Sequence, residues 1–107
     1  AADVHAAEAV RAAFTAQVDA ALREFTILAL PTMADAPPLL AEAADTSKLV
    51  GMTSLVRPFN LSGHPAIAIP LPGPGDFPMS LQLVAAKGHD ELLCAVARQI
   101  AGRLNQR

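Results

Sequence analysis

The sequence predicts an α/β (mixed) fold, a small three-stranded mixed sheet with flanking helices in the order α-β-α-β-β-α. Three observations predict it. Apolar residues recur at steps of three and four at both ends of the chain, which is the period of a helix with one buried face. Short apolar runs, TILAL, AIAI and SLQLVA, lie between those ends and have the length of strands. The text between the second and third runs, PLPGPGDFP, is too rich in proline and glycine for anything but a hairpin-type connection.

The first helix is expected from Asp3 to about Glu24, with Val10, Phe14, Val18, Ala21, Leu22 and Phe25 along one wide buried stripe. Asp3 is placed to cap it, and alanine, the best helix former, fills many of the intervening positions. Thr26 to Leu30, closed by Pro31, suits a strand buried on both faces. From Pro31 to Ser47 the text PTMADAPPLLAEAADTS has no clean period and reads as a long surface loop, the kind that carries function or is disordered.

Thr46 or Ser47 can cap a second helix running to about Val56, where Pro58 favours a break or a new helical start. Asn60, Gly63 and Pro65 then supply turn chemistry. The second strand is HPAIAIP, His64 to Pro70, and the third MSLQLVA, Met79 to Ala85. Asp90 caps the last helix, in which Leu92, Leu93, Val96, Ala97, Ile100 and Leu104 repeat at helical steps. A crossover from strand one through helix two would make strands one and two parallel neighbours, with the hairpin adding an antiparallel partner.

At 107 residues the chain is one segment, a single domain or a piece of one. A net charge of −2 removes the basic footprint of nucleic-acid binding, and the absence of Trp and Tyr argues against a stacking platform for bases or sugars. No run approaches the roughly 20 apolar residues of a membrane helix, and the N-terminus lacks the basic start of a signal peptide. The single cysteine, Cys94, builds no disulfide framework, so a cytoplasmic protein without membrane or nucleic-acid partners is expected. Hydrophobic residues reach 52% while charged ones stop at 17%, below the usual share of about 25%. Such a surface suits an oligomer, or a piece cut from something larger.

Isolated side chains offer little chemistry. His5 and Glu8 lack further metal ligands and read as an exposed pair, and His89, Asp90 and Glu91 complement a helix dipole. Cys94 reads as a small core residue, with no nearby base to activate it. Ser47, Ser54, Ser62 and Ser80 stand in no G-x-S-x-G elbow or S-x-x-K pattern and read as caps and turns. Gly73 and Gly75 are interleaved with prolines that remove backbone donors, so no phosphate cradle follows, and neither a metal nor another cofactor is expected. One dense constellation remains, Arg57-Pro58-Phe59-Asn60-Leu61-Ser62-Gly63-His64-Pro65-Ala66 running into Pro70, where a helix end tied by Asn60 and turned by Gly63 is able to line a pocket.

At these residues the chain resembles the C-terminal region of the amidase signature family, the Ser-cisSer-Lys amidohydrolases. The resemblance runs in order through Leu28-Ala29-Leu30-Pro31-Thr32, a proline-rich loop, Arg57 to Gly63 with Pro65-Ala66, the strand Leu81-Gln82-Leu83-Val84 and the helix start Asp90-Glu91-Leu92-Leu93. His64, where the family usually has an apolar residue, and Ser80, often glycine there, depart from the pattern.

The resemblance implies that residues 1–107 are the C-terminal portion of an amidase domain, a hydrolase of carbon–nitrogen bonds in carboxamides that works through a serine acyl-enzyme. The family's serine pair and lysine base lie upstream in a glycine- and serine-rich region with no counterpart here, so no catalytic residue carries over and the chain alone is expected to be inactive. It also implies that the helix before the Asn-Leu-x-Gly turn borders the substrate cleft, which singles out Thr53 and Arg57 as substrate-binding residues. Arg57 either pairs with an acidic substrate group through its planar fork or holds a carboxylate of the missing domain. The expected partners are the remainder of the amidase domain or a second copy, meeting at the sheet face or the edge of strand one or three, with a small-molecule amide as substrate of the complete enzyme. A competing reading is a non-catalytic binding or assembly module with the same fold.

Overall fold

The structure, a computed structural model, describes residues 2–33, 54–71 and 79–104. Its elements are α1 (Ala2–Glu24), β1 (Ile27–Pro31), α2 (Arg57–Ser62), β2 (Ala66–Leu71), β3 (Met79–Ala85) and α3 (Asp90–Leu104), in the expected order. The long loop after β1, most of the helix expected over 47–56 and the turn between β2 and β3 lie outside the described residues. Of that helix only residues 54–56 are described, as a turn, and the helix begins anew at Arg57 with Pro58 in its first turn, where a missing N–H costs nothing.

The three strands pair in the order β1-β3-β2, and both pairings are antiparallel. The expected mixed sheet, with β1 and β2 as parallel neighbours, is therefore corrected. These two strands do run in the same direction, but β3 lies between them. Proline explains the choice. Pro31 in β1 and Pro70 in β2 have no N–H to give to a ladder, so each strand suits an edge, whereas β3 is free of proline and can bond on both sides. It follows that strand three has no free edge to offer a partner, and that β1, only partly buried, is not the doubly covered strand expected from its composition.

Alternation along β3 divides the core into two layers. Leu81, Leu83 and Ala85 face α3, where they meet Ile69, Leu93 and Ala97. Val84 faces the other way and packs with Val18, Leu22 and Phe59 from α1 and α2. Helices α1 and α3 thus cover opposite faces of the sheet. Phe14 and Phe59 meet across α1 and α2 with ring centroids 6.3 Å apart and planes tilted by 48°, a pairing worth about 0.5–1.5 kcal/mol beyond its area.

The expected stripe of α1 is buried only in its C-terminal half. Val18 and Leu22 reach the sheet, but Val10 is 67% exposed and Phe25 is also exposed. Cys94 is exposed as well, one position off the Leu93–Ala97 face that packs on the sheet. At the entry of α3 the His89 carbonyl accepts the Leu93 N–H at 3.0 Å, so His89 rather than Asp90 is the cap position.

Candidate functional site

Helix α2 is short, and its sequence fixes both ends. Pro58 starts it, and Gly63 stops it in the left-handed region at φ 80°, ψ 13° while its N–H donates to the Phe59 carbonyl at 2.9 Å. Only glycine takes that conformation without a penalty from Cβ. Asn60 lies inside the helix with an exposed side chain, so the helix end is tied by Gly63 and not by Asn60.

Polar pins fasten this helix to the rest of the fold. At its entry the buried Gln82 of β3 donates from Nε2 to the Leu55 carbonyl at 2.9 Å. At its exit Arg11 of α1 donates from Nε to the Leu61 carbonyl at 3.1 Å, while weakly pairing with Glu8 at 3.6 Å. Beside that contact Ser62, His64 and Asp19 form a chain: Ser62 Oγ lies 2.7 Å from His64 Nδ1, and His64 Nε2 lies 2.7 Å from Asp19 Oδ1. The His64 side chain is fully buried, and Asp19 is 42% exposed.

The donors follow from the inventory of lone pairs. An ionised Asp19 only accepts, so Nε2 carries a proton; in a neutral imidazole Nδ1 is then the acceptor and the Ser62 hydroxyl donates to it. The hydrogen bond from His64 holds the Asp19 carboxyl below its ordinary value, partial burial opposes this, and the charges of His64, Lys87 and Arg23 add to the lowering.

Serine, histidine and aspartate in a chain invite comparison with a nucleophilic triad, but the burial decides otherwise. Ser62 is 3% exposed, and its Oγ is also 3.3 Å from the Phe59 carbonyl, so the hydroxyl is engaged within the contact between α1 and α2. The chain joins α1 to the end of α2.

The surface that α2 offers is an open groove of about 760 Å³ lined by Val10, Phe14, Ser54, Arg57, Asn60 and Leu61. Arg57, singled out by the sequence, stands exposed on its wall; Thr53 lies outside the described residues. A smaller polar cleft of about 390 Å³, with Arg11, Thr15, Asp19, Ser62 and Lys87 in its lining, lies against the contact between α1 and α2. Thr32 Oγ1, just after β1, is buried and has no hydrogen-bond partner among the described residues. No group of three metal-ligating side chains occurs among the described residues, and none of their helices is long and apolar enough to cross a membrane.

Sequence reasoning missed Asp19 and treated Ser62 as turn chemistry. The available signal was His64, a polar residue in an otherwise apolar strand start, which required a buried partner.

A family model described as Amidase matches residues 1–94. The chain is 37% identical over 92 residues to 6-aminohexanoate-cyclic-dimer hydrolase of Pseudomonas sp. (strain NK87), covering 73% of this chain and 19% of that protein. It is 35% identical over 95 residues to Amidase 1 of Oryza sativa subsp. japonica, covering 87% of this chain and 22% of the relative. The solved structure of a 6-aminohexanoate cyclic dimer hydrolase superposes with a TM-score of 0.77 at 30% identity, over 88% of this chain and 23% of that one. The chain therefore spans about a fifth of the length of the proteins it matches.

Proposed function

The chain belongs to the Amidase family, and from that premise we propose that it forms the C-terminal portion of an amidase that hydrolyses the carbon–nitrogen bond of a small carboxamide. The observation that carries the reading is the combination of a match along nearly the whole chain with coverage of only a fifth of each relative. The nucleophilic serine, the bridging serine and the lysine base belong to the remainder of the enzyme, and this segment contributes one wall of the substrate cleft. Arg57 is the substrate-facing side chain on that wall, and Thr53 is assigned a substrate-binding role from the family resemblance alone. An apolar groove with one cation on its rim suits an aliphatic amide, in keeping with relatives whose names specify a cyclic dimer of 6-aminohexanoate.

The partner is the remaining part of the same enzyme. Val4 and Val10 continue the apolar stripe of α1 beyond the sheet, and Leu61 stands exposed in the groove that Val10 lines. Covering such surface contributes about 25 cal/mol per Å². A second copy would use the same surface where the remainder is absent, and a cytoplasmic setting fits a chain whose one cysteine is free and exposed. The test is amide hydrolysis by the complete polypeptide that carries these residues. Release of ammonia or amine, with a trapped acyl group on a serine outside residues 1–107, supports the reading; a complete protein that binds small amides but never cleaves them returns it to the binding-module class.

A further inference from the structure

We infer that Asp19, His64 and Ser62 form a positioning relay that locks the end of α2 onto α1 and thereby fixes the groove wall that carries Arg57. The inference rests on the proposed role of α2 as a border of the substrate cleft. None of the three touches substrate, and each acts through the helix it holds.

The geometry has two properties that a chance contact lacks. Both imidazole nitrogens are used, each at 2.7 Å, on a ring with no solvent exposure, so the two partners give the ring one orientation. The two partners also come from different elements: Asp19 from the C-terminal part of α1 and Ser62 from the last residue of α2, with His64 just beyond the left-handed Gly63. Fixing the ring therefore fixes the two helices that form the groove. Gln82 holds the entry of α2 in the same way, so both ends of a helix of only 6 residues are pinned by buried polar side chains. Helices this short have little stability of their own and take their position from such contacts.

The relay tolerates either charge state of the ring. With a neutral imidazole the Ser62 hydroxyl donates to Nδ1. With a charged one Nδ1–H donates to Ser62 Oγ, and the hydroxyl proton turns to the Phe59 carbonyl, which waits 3.3 Å away. Every hydrogen bond keeps a donor and an acceptor. Among the described residues, the charged groups around the relay are Asp19 itself with Glu8, Arg11 and Arg23 on α1, and Lys87 on the turn after β3. Protonation of Asp19, in acid, weakens the acceptor end of the link.

The test uses the complete enzyme with four substitutions: His64→Leu, which removes both links, His64→Gln, which keeps a donor toward Asp19, Asp19→Ala and Asp19→Asn. Steady-state hydrolysis of a plain aliphatic amide, hexanamide, is measured with hydrogen exchange at the Gly63 amide. A lost hydrogen bond to a charged group corresponds to about tenfold or more, so H64L and D19A are expected to raise KM and speed Gly63 exchange by about tenfold, with kcat within about twofold. H64Q and D19N are expected to recover most of both effects. The relay is overturned if H64L leaves KM and exchange unchanged, or if KM rises while the two conservative variants rescue nothing. Should the unsubstituted enzyme fail to turn over any amide, the functional reading fails, and Gly63 exchange alone decides the relay: acceleration in H64L and not in H64Q supports it, and equal rates sink it.

Discussion

Glycine-to-alanine substitutions at three positions should change stability with opposite signs, which tests the local backbone directly. Gly63 closes α2 at φ 80°, and Gly88 precedes α3 at φ 86°. Gly102 lies inside α3 without a positive φ. A methyl group built on Gly63 has Lys87 Cε as its nearest neighbour at 3.6 Å, an ordinary contact, and on Gly88 or Gly102 it meets nothing within 4 Å. Sterics with other side chains therefore cancel from the comparison and the backbone alone decides. Forcing alanine into the left-handed region costs about 1–2 kcal/mol, so G63A and G88A should each lower stability by that amount. G102A should raise it by about 0.5 kcal/mol, near the low end of the helical range because the position approaches the helix end. Urea denaturation of the protein, with the slope m held constant across variants, reads these differences as shifts of midpoint. A G63A variant as stable as the parent would refute the assigned end of α2, and with it the placement of His64.

Other consequences are open to measurement. Leu83 is 1% exposed at the centre of β3, so Leu83→Ala should cost about 2–5 kcal/mol in denaturant unfolding, and a cost below about 1 kcal/mol contradicts the central position of that strand. The Asp19 carboxyl is held below its ordinary value, so its contribution to stability is complete above about pH 4 and disappears as pH falls through the depressed folded value. Asp19→Asn should lower stability at neutral pH toward its acid value, change little in acid, and so flatten that acid limb; an unaltered acid limb contradicts the His64 contact. In the complete enzyme Arg57→Ala should raise KM for substrate by about tenfold if its fork meets the substrate, and Arg57→Lys should recover little because the planar fork is lost. A KM unaffected by both substitutions removes Arg57 from the cleft.

Much of this fold is written in local pattern. The periods of α1 and α3 place those helices within a residue or so of their observed ends, and the apolar runs mark β1 and β3 to the same accuracy, while β2 begins two residues later than expected. Pairing is a different matter, since β1 is separated from β3 by more than 40 residues and nothing local names its partner. The prolines in β1 and β2 carried the missing clue, because only a proline-free strand can bond on both sides. The stripe of α1 shows the converse limit. Helical spacing says which residues share a face but not whether another element covers it, and Val10 remains exposed although Val18 on the same face is buried. Around the groove, the Arg-Pro-Phe-Asn-Leu-Ser-Gly run marked α2 and its turn in the sequence, whereas Asp19 meets His64 across 45 residues and looks like any other surface aspartate in sequence.

The most direct test of the central claim is amide hydrolysis by residues 1–107 alone, beside the complete enzyme at equal concentration. A segment that supplies fold and one wall of the cleft but no nucleophile should release no amine from hexanamide above the buffer rate, while the complete enzyme turns over. Turnover by the isolated chain that disappears when one of its own serines is replaced by alanine would contradict the account.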